Sequence, residues 1–165
     1  MTVNTAAVLT ISDSASQGQR EDLSGPAVAR ELTAAGFQVK HAAVVADDLE
    51  QIQKELIASS AVVRLIVTVG GTGIAARDVT PEATSAVVEK IVDGIAERMR
   101  IEGASKTPLA ALSRGICGTR GQALILNLPG SPKAAVASLQ AVIKILPHAL
   151  DLLSGKTEHP GNEIG

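Results

Sequence analysis

Residues 65–84 read LIVTVGGTGIAARDVTPEAT. The run LIVTVG is continuous rather than alternating in polarity, as in a strand covered on both faces of a sheet. Gly70, Gly71 and Gly73 then strip the backbone of side chains, and Arg77 and Asp78 follow within five residues of the last of them. Thr80, Pro81 and Glu82 have the form of a helix start: a hydroxyl cap, a proline at the first helical position and an acid in the first turn. Strand, bare loop and helix in this order are the unit of an α/β sheet.

The rest of the chain repeats the unit. AAVLTIS (6–12) reads as a first buried strand. Ser24 is placed to cap a helix from Gly25 and Pro26, with Val28, Leu32 and Ala35 on one face and Gly36 as its stop. QVKHAAVVA (38–46) predicts a second strand, and Leu49, Ile52, Leu56 and Ile57 a helix after it. ATSAVVEKIV (83–92) continues the helix begun at Thr80. Residues 94–112 read as helix broken at Gly103 and Pro108, and 115–130 as two short strands around Gly121. Ser131 and Pro132 open a last helix, which Pro147 kinks or splits. The expectation is an α/β chain with a mostly parallel sheet: one domain over 1–155 and a loose tail over 156–165.

Composition narrows the function. Lys and Arg number 15 against 17 Asp and Glu, a formal charge of −2, so no broad basic field awaits nucleic acid or anionic lipid. Apolar residues make up 45% of the chain but Phe, Tyr and Trp only 1%, with Phe37 as the single one. Base stacking on aromatics is excluded, and any heterocycle that binds must lie on aliphatic side chains and backbone. The lone Cys117 has no disulfide partner within the chain and reads as a buried thiol, in keeping with a reducing, cytoplasmic setting. No run approaches the ~20 apolar residues that span a bilayer, and the first residues lack the charged start of a signal peptide. A mean hydropathy of +0.25 is high for a soluble monomer and points to a buried subunit interface.

In parallel sheets ligands bind outside the carboxyl ends of the strands. Polar turns follow strands here at SDSASQG (12–18), at Asp47 and Asp48, at the glycine loop and at NLPGSPK (127–133). The glycine loop is not a phosphate-loop NTPase motif, because the lysine and hydroxyl of GxxxxGK[ST] are missing. Gly71, Gly73 and Ala76 satisfy a dinucleotide fingerprint, but the helix would have to start at the glycines, whereas Thr80 stands seven residues after Gly73. The preferred reading is a longer phosphate nest with Asp78 at its mouth. A carboxylate beside a phosphate calls for a cation between them. Asp78 and Asp47 are therefore read as Mg²⁺ ligands, although each alone also suits a turn or helix cap. His41, His148 and His159 have no metal-ligand spacing. A transfer whose nucleophile is already an anionic phosphate needs no base, only positioning and charge neutralisation.

ISDSAS, GGTG…RDVTPEAT, DGIAERMR, LSRGICGTRG and NLPGSPKA occur in an order that resembles the molybdopterin adenylyltransferases of molybdenum-cofactor biosynthesis. That family includes the Mog and MoaB types and the gephyrin G domain. The resemblance runs from about Ala6 to Gly155. It implies a three-layer α/β/α fold, a homo-trimer, and the conversion of ATP and molybdopterin to adenylyl-molybdopterin and pyrophosphate with Mg²⁺. Other proteins of cofactor biosynthesis are further candidate partners. By the resemblance, Asp47 and Asp78 are the catalytic, metal-binding aspartates. Ser12, Asp13 and Ser14 match the Ser-Asp turn, and Gly70, Gly71, Thr72 and Gly73 the nucleotide-phosphate loop. Ser113 and Arg114 match the LSR motif, and Gly130, Ser131 and Lys133 the PGSPK turn at the pocket. Ala46 stands where the acidic turn usually has proline, and Ile74 and Ala75 replace a Pro- or Ser-containing segment. The alternative is a non-catalytic MoaB-type molybdopterin-binding or scaffolding protein. A nicotinamide enzyme using GTGIAA ranks below both.

Overall fold

The computed structural model describes residues 3–157. Six strands form one sheet in the order β2-β1-β3-β6-β5-β4. They are β1 (Thr5–Ile11), β2 (Gln38–Val45), β3 (Leu65–Val69), β4 (Lys90–Ile91), β5 (Cys117–Arg120) and β6 (Ala123–Leu128). The four neighbours β2, β1, β3 and β6 run parallel, while β5 and β4 continue the sheet antiparallel. The mostly parallel sheet is thus as expected, with a β5–β6 hairpin turning at Gly121, whose φ is +56°.

Helices cover both faces. On one side α2 (Ser24–Ala34), α5 (Asp93–Ala104), α6 (Pro132–Val142) and α7 (Leu146–Leu153) pack with Ala6, Val8, Leu65, Val67, Leu124 and Leu126. On the other, α3 (Leu49–Ser60) and α4 (Thr80–Val87) pack with Ala7, Leu9, Ile66 and Ile125. Successive residues of each central strand go to opposite cores, as the two-residue period of a strand requires. That is why the central strands are mostly apolar along their whole length, and it gives the three-layer α/β/α architecture. Phe37, 4% exposed, is the one ring in an otherwise aliphatic core.

Several element boundaries differ from expectation. Ser24 does not cap α2: its hydroxyl donates to the Gly130 carbonyl (2.6 Å), and Asp22 accepts the Gly25 N–H instead (2.9 Å). Thr80 does not cap α4 either. It is fully buried, and its hydroxyl donates to the Gly70 carbonyl (3.0 Å). α4 stops at Val87, and residues 90–91 form β4, so VEKIV is not helical. The Glu89 and Val92 N–H groups donate to the Thr119 and Cys117 carbonyls, a ladder at the sheet edge that outcompetes helix continuation. The short helix α1 (Asp13–Ser16) and a 3₁₀ turn (Pro108–Leu112) complete the elements.

Other expectations hold. Gly36 (φ +93°) ends α2, with the Phe37 N–H donating to the Leu32 carbonyl in the manner of a Schellman stop. Ser131 caps α6 by accepting the Ala134 N–H, and the last helix is split before Pro147 into α6 and α7, bent by 62°. Among the described residues no single helix is long and apolar enough to cross a membrane. The expected loose tail falls largely on residues 158–165, outside the described residues, as does His159.

Candidate active site

β1, β2, β3 and β6 all point their carboxyl ends to one rim, and the chain leaves β1 towards β2 on one side while β3 lies on the other. This is the switch point at which open α/β sheets form a crevice. Two cavities meet there. The larger, about 670 Å³, is walled by α5, the 3₁₀ turn, α6 and the glycine loop; the smaller, about 410 Å³, lies over the ends of β1, β2 and β3. Gly71, Asp78, Gly130 and Ser131 line both, forming the ridge between them.

The ridge explains the glycines. Gly70 and Gly71 both have positive φ, +109° and +68°. A Cβ on Gly70 would strike the Ile11 carbonyl, and one on Gly71 would strike the Thr80 hydroxyl and approach Asp47 Oδ1. Neither position admits a side chain. Gly73 is different: its φ is not positive, but a Cβ there would stand 2.8 Å from Asp78 Oδ2. The N–H groups of Gly71, Thr72 and Gly73 have no partner among the described residues. Three free donors in residues lining the cavities are suited to an anion. α4 begins only at Thr80, not at the glycines as a dinucleotide fingerprint requires, and its first N–H is spent on the Gly71 carbonyl (3.2 Å). Gly73→Val is expected to displace the Asp78 carboxylate and weaken nucleotide binding while the protein stays folded. Nucleotide titration alongside circular dichroism checks this, and normal ATP affinity would remove the role assigned to Gly73.

The loop stands on a buried polar chain. Thr80 holds the Gly70 carbonyl, Thr84 donates to the Thr80 carbonyl, and Asn127 Nδ2 donates to both Thr84 and Thr68 hydroxyls (3.0 Å each). Asn127 Oδ1 accepts the Ile116 N–H (3.1 Å). Among the described residues no buried side-chain polar atom lacks a partner. The sequence places Asn127 at the head of the polar turn 127–133, whereas it lies inside β6 with its side chain buried.

The acidic groups are arranged as a pair with a latch. The Asp13 N–H donates to Asp47 Oδ2 and the Asp47 N–H donates to Asp13 Oδ1, each at 2.9 Å, joining the end of β1 to the end of β2. Arg77 closes on Asp13 Oδ2 through Nε (2.9 Å) and a terminal nitrogen (2.8 Å). This hydrogen bonding, with that from Asp47, holds the Asp13 carboxyl below its usual range. Asp47 goes the other way. Burial raises it, the bond from Asp13 opposes the rise, and the charges of Asp13 and Asp78 add to it. Asp78 Oδ2 accepts the Ala75 N–H (3.0 Å). Oδ1 of Asp47 and Oδ1 of Asp78 accept no hydrogen bond from the described residues. No group of three or more His, Cys, Asp or Glu forms a protein-only cage among the described residues.

The site residues expected from sequence divide by position. Ser12, Asp47 and Gly70 line the smaller cavity, and Thr72, Gly73, Ser113 and Lys133 the larger. Asp13, Ser14 and Arg114 line neither. Asp13 serves the latch, and the Ser14 hydroxyl lies 3.2 Å from that of Ser12, which itself caps α1. The apolar lining of the larger cavity, including Met99, Leu109 and Leu112, contains no aromatic ring. Lys106 and Lys133 stand at its wall, neither in an ion pair among the described residues. Cys117 is buried with its thiol pushed up to about 12 by desolvation, and takes no part.

The chain is similar to known proteins in sequence and in fold. A molybdopterin adenylyltransferase of Helicobacter pylori strain J99 is 43% identical over 152 residues, covering 90% of this chain and 86% of its own. The molybdenum cofactor synthesis protein cinnamon of Drosophila melanogaster is also 43% identical, but the match spans only 25% of that longer protein. The crystal structure of a molybdopterin biosynthesis enzyme MoaB from Thermus thermophilus superposes with a TM-score of 0.88 at 47% identity, covering 93% of this chain and 98% of that one. Residues 7–148 match the family described as a probable molybdopterin binding domain, a span that takes in both cavities and both aspartates, and the chain belongs to that family.

Proposed function

We propose that the protein is a molybdopterin adenylyltransferase of molybdenum-cofactor biosynthesis, joining the AMP part of ATP to molybdopterin and releasing pyrophosphate. The observation that carries this is the shared ridge. Glycine amides and Asp78 border two cavities at once, so a phosphate bound on one side lies against a ligand held on the other. The names of relatives at about 40% identity support the same activity.

In this reading the larger cavity takes molybdopterin. Its aliphatic wall receives the pterin, and Lys106 and Lys133 attract the terminal phosphate. The smaller cavity takes the nucleotide, with the free Gly71 amide at its phosphates and the free Thr72 and Gly73 amides on the larger-cavity side of the ridge, where the two phosphate groups meet. The anionic phosphate of molybdopterin attacks the α-phosphorus, the bond to the β-phosphate oxygen breaks, and pyrophosphate departs. No proton need be removed from the nucleophile, and among the described residues no histidine lines either cavity.

Asp47 and Asp78 fit a Mg²⁺ ion: each keeps an unbonded carboxylate oxygen beside the glycine loop, and two carboxylates completed by phosphate oxygens are the habit of this ion. When bound, the ion supplies neutralisation of the triphosphate charge. Asp13 spends its own charge on Arg77 and sets the position of Asp47. Pyrophosphate release in the presence of ATP, Mg²⁺ and molybdopterin, and its absence when molybdopterin is omitted, tests the assignment. Molybdopterin binding without release would favour a non-catalytic carrier.

A homo-trimer is the proposed assembly. Aliphatic side chains that line neither cavity are exposed on helices, among them Ile57 of α3, Ile101 of α5 and Leu152 of α7. These suit burial between subunits. Light scattering is expected to give three times the chain mass of 16.8 kDa, and a monomer at micromolar concentration would rule the assembly out.

A further inference from the structure

We propose that Arg114 is a positioning residue for Asp78 and the glycine loop rather than a contact to substrate, an inference that rests on the adenylyltransferase reading. Arg114 follows Ser113, which lines the larger cavity, but its own side chain is spent on the loop. Its backbone N–H donates to the Thr72 carbonyl (2.8 Å), Nε to the Gly73 carbonyl (2.8 Å) and one terminal nitrogen to the Asp78 carbonyl (2.9 Å). The other terminal nitrogen meets Glu82 in the first turn of α4, and this bond holds the Glu82 carboxyl below its usual range. One residue thus grips the loop at its first two residues and at its last.

Apart from this grip the loop from 72 to 78 has little to define it. Within it the Asp78 N–H donates to the Ala75 carbonyl and the Ala75 N–H to Asp78 Oδ2, while residues 74–77 are exposed. Arg77 ties its far side to Asp13, an exposed pair that holds direction rather than stability. Arg114 supplies the near side. Its ion pair with Glu82 is also well exposed, 36% and 49%, and contributes little to folding. The distinguishing feature is the planar fork reaching two loop carbonyls at once, which a lysine ammonium on its flexible stem does not reproduce. Arg114 also connects the 3₁₀ turn, a wall of the larger cavity, to the backbone of Asp78, whose carboxylate lies between the cavities.

The test compares Arg114→Lys and Arg114→Met with the unaltered protein by hydrogen–deuterium exchange and by steady-state kinetics. Exchange at the Asp78 and Thr80 amides is expected to accelerate in both variants while β1, β3 and β6 exchange as before. Molybdopterin KM should stay unchanged, and kcat should fall about 10²-fold, the cost of a displacement of about 1 Å at the reacting groups. A raised molybdopterin KM with unchanged kcat would make Arg114 a substrate contact and overturn the inference. So would unaltered loop exchange, or acceleration throughout the sheet in the lysine variant. If the unaltered protein shows no turnover, the proposed function fails, and loop exchange alone then decides the role of Arg114.

Discussion

Asp78→Asn is expected to lower adenylyl transfer by at least ~10²–10³-fold, the usual loss when one electrostatic stabiliser of developing charge is removed. Asparagine is nearly isosteric, and its carbonyl oxygen still accepts the Ala75 N–H that Asp78 Oδ2 accepts at 3.0 Å. The turn therefore survives, and what goes is the charge beside Gly73. Molybdopterin affinity should change little, because the aliphatic wall and the lysines of the larger cavity are untouched. Asp47→Asn should cost a similar or smaller factor. Its Oδ2 bond to the Asp13 N–H leaves the latch standing, but the half-buried charge is lost. Single-turnover measurements at saturating ATP separate this loss from weaker binding, and near-normal rates in the Asp78 variant would reduce the loop to a turn.

Asn127→Leu is expected to be the most damaging change to the fold among those considered. Asn127 is 1% exposed and satisfies three partners: the Ile116 N–H and the hydroxyls of Thr68 and Thr84. Leucine fills similar space but strands the Ile116 N–H and strips the donor from two buried threonines. A buried group left unsatisfied costs about 1–3 kcal/mol, so the loss should reach about 3 kcal/mol in total. For a chain of this size each kcal/mol moves the melting temperature by about 2–4 °C, which predicts a fall of about 6–12 °C. The glycine loop should loosen with it, since Thr84 and Thr80 pass the network on to the Gly70 carbonyl. An unchanged melting temperature would show that the chain of hydroxyls does not support the loop.

What the sequence revealed, and what it hid, follows from the range of each interaction. The apolar runs of β1, β3 and β6 are visible because both faces of the central strands are buried, and the order of turns then places Asp47, Asp78 and Ser131 at one rim. The cap positions mislead for a tertiary reason. Ser24 and Thr80 stand where helix caps belong, but their hydroxyls are drawn to the carbonyls of Gly130 and Gly70, neither predictable from neighbours in the chain. VEKIV has helical spacing, yet the edge of the sheet offers Glu89 and Val92 carbonyl partners on β5.

The candidate site shows the same division. Gly70 and Gly71 have the conformations that only glycine tolerates, but the exclusion at Gly73 comes from Asp78, not from its own φ. Asp13 and Arg114 bear motif residues yet stand behind the cavities. The Asp13–Asp47 latch joins residues 34 positions apart, and the Arg114 grip spans 36 positions to Asp78. Spacing rules reach one helical turn, so such pairs emerge only from the fold.

The central claim is that one ridge presents the α-phosphate of a nucleotide to a ligand in the neighbouring cavity. Incubation with ATP labelled separately in the α- and γ-phosphates, in the presence of Mg²⁺ and molybdopterin, tests it most directly. The account predicts that α-label appears in the pterin product and γ-label in pyrophosphate, in equal amounts and only when both substrates are present. Transfer of γ-label to the pterin, or release of pyrophosphate without α-labelled product, would contradict it.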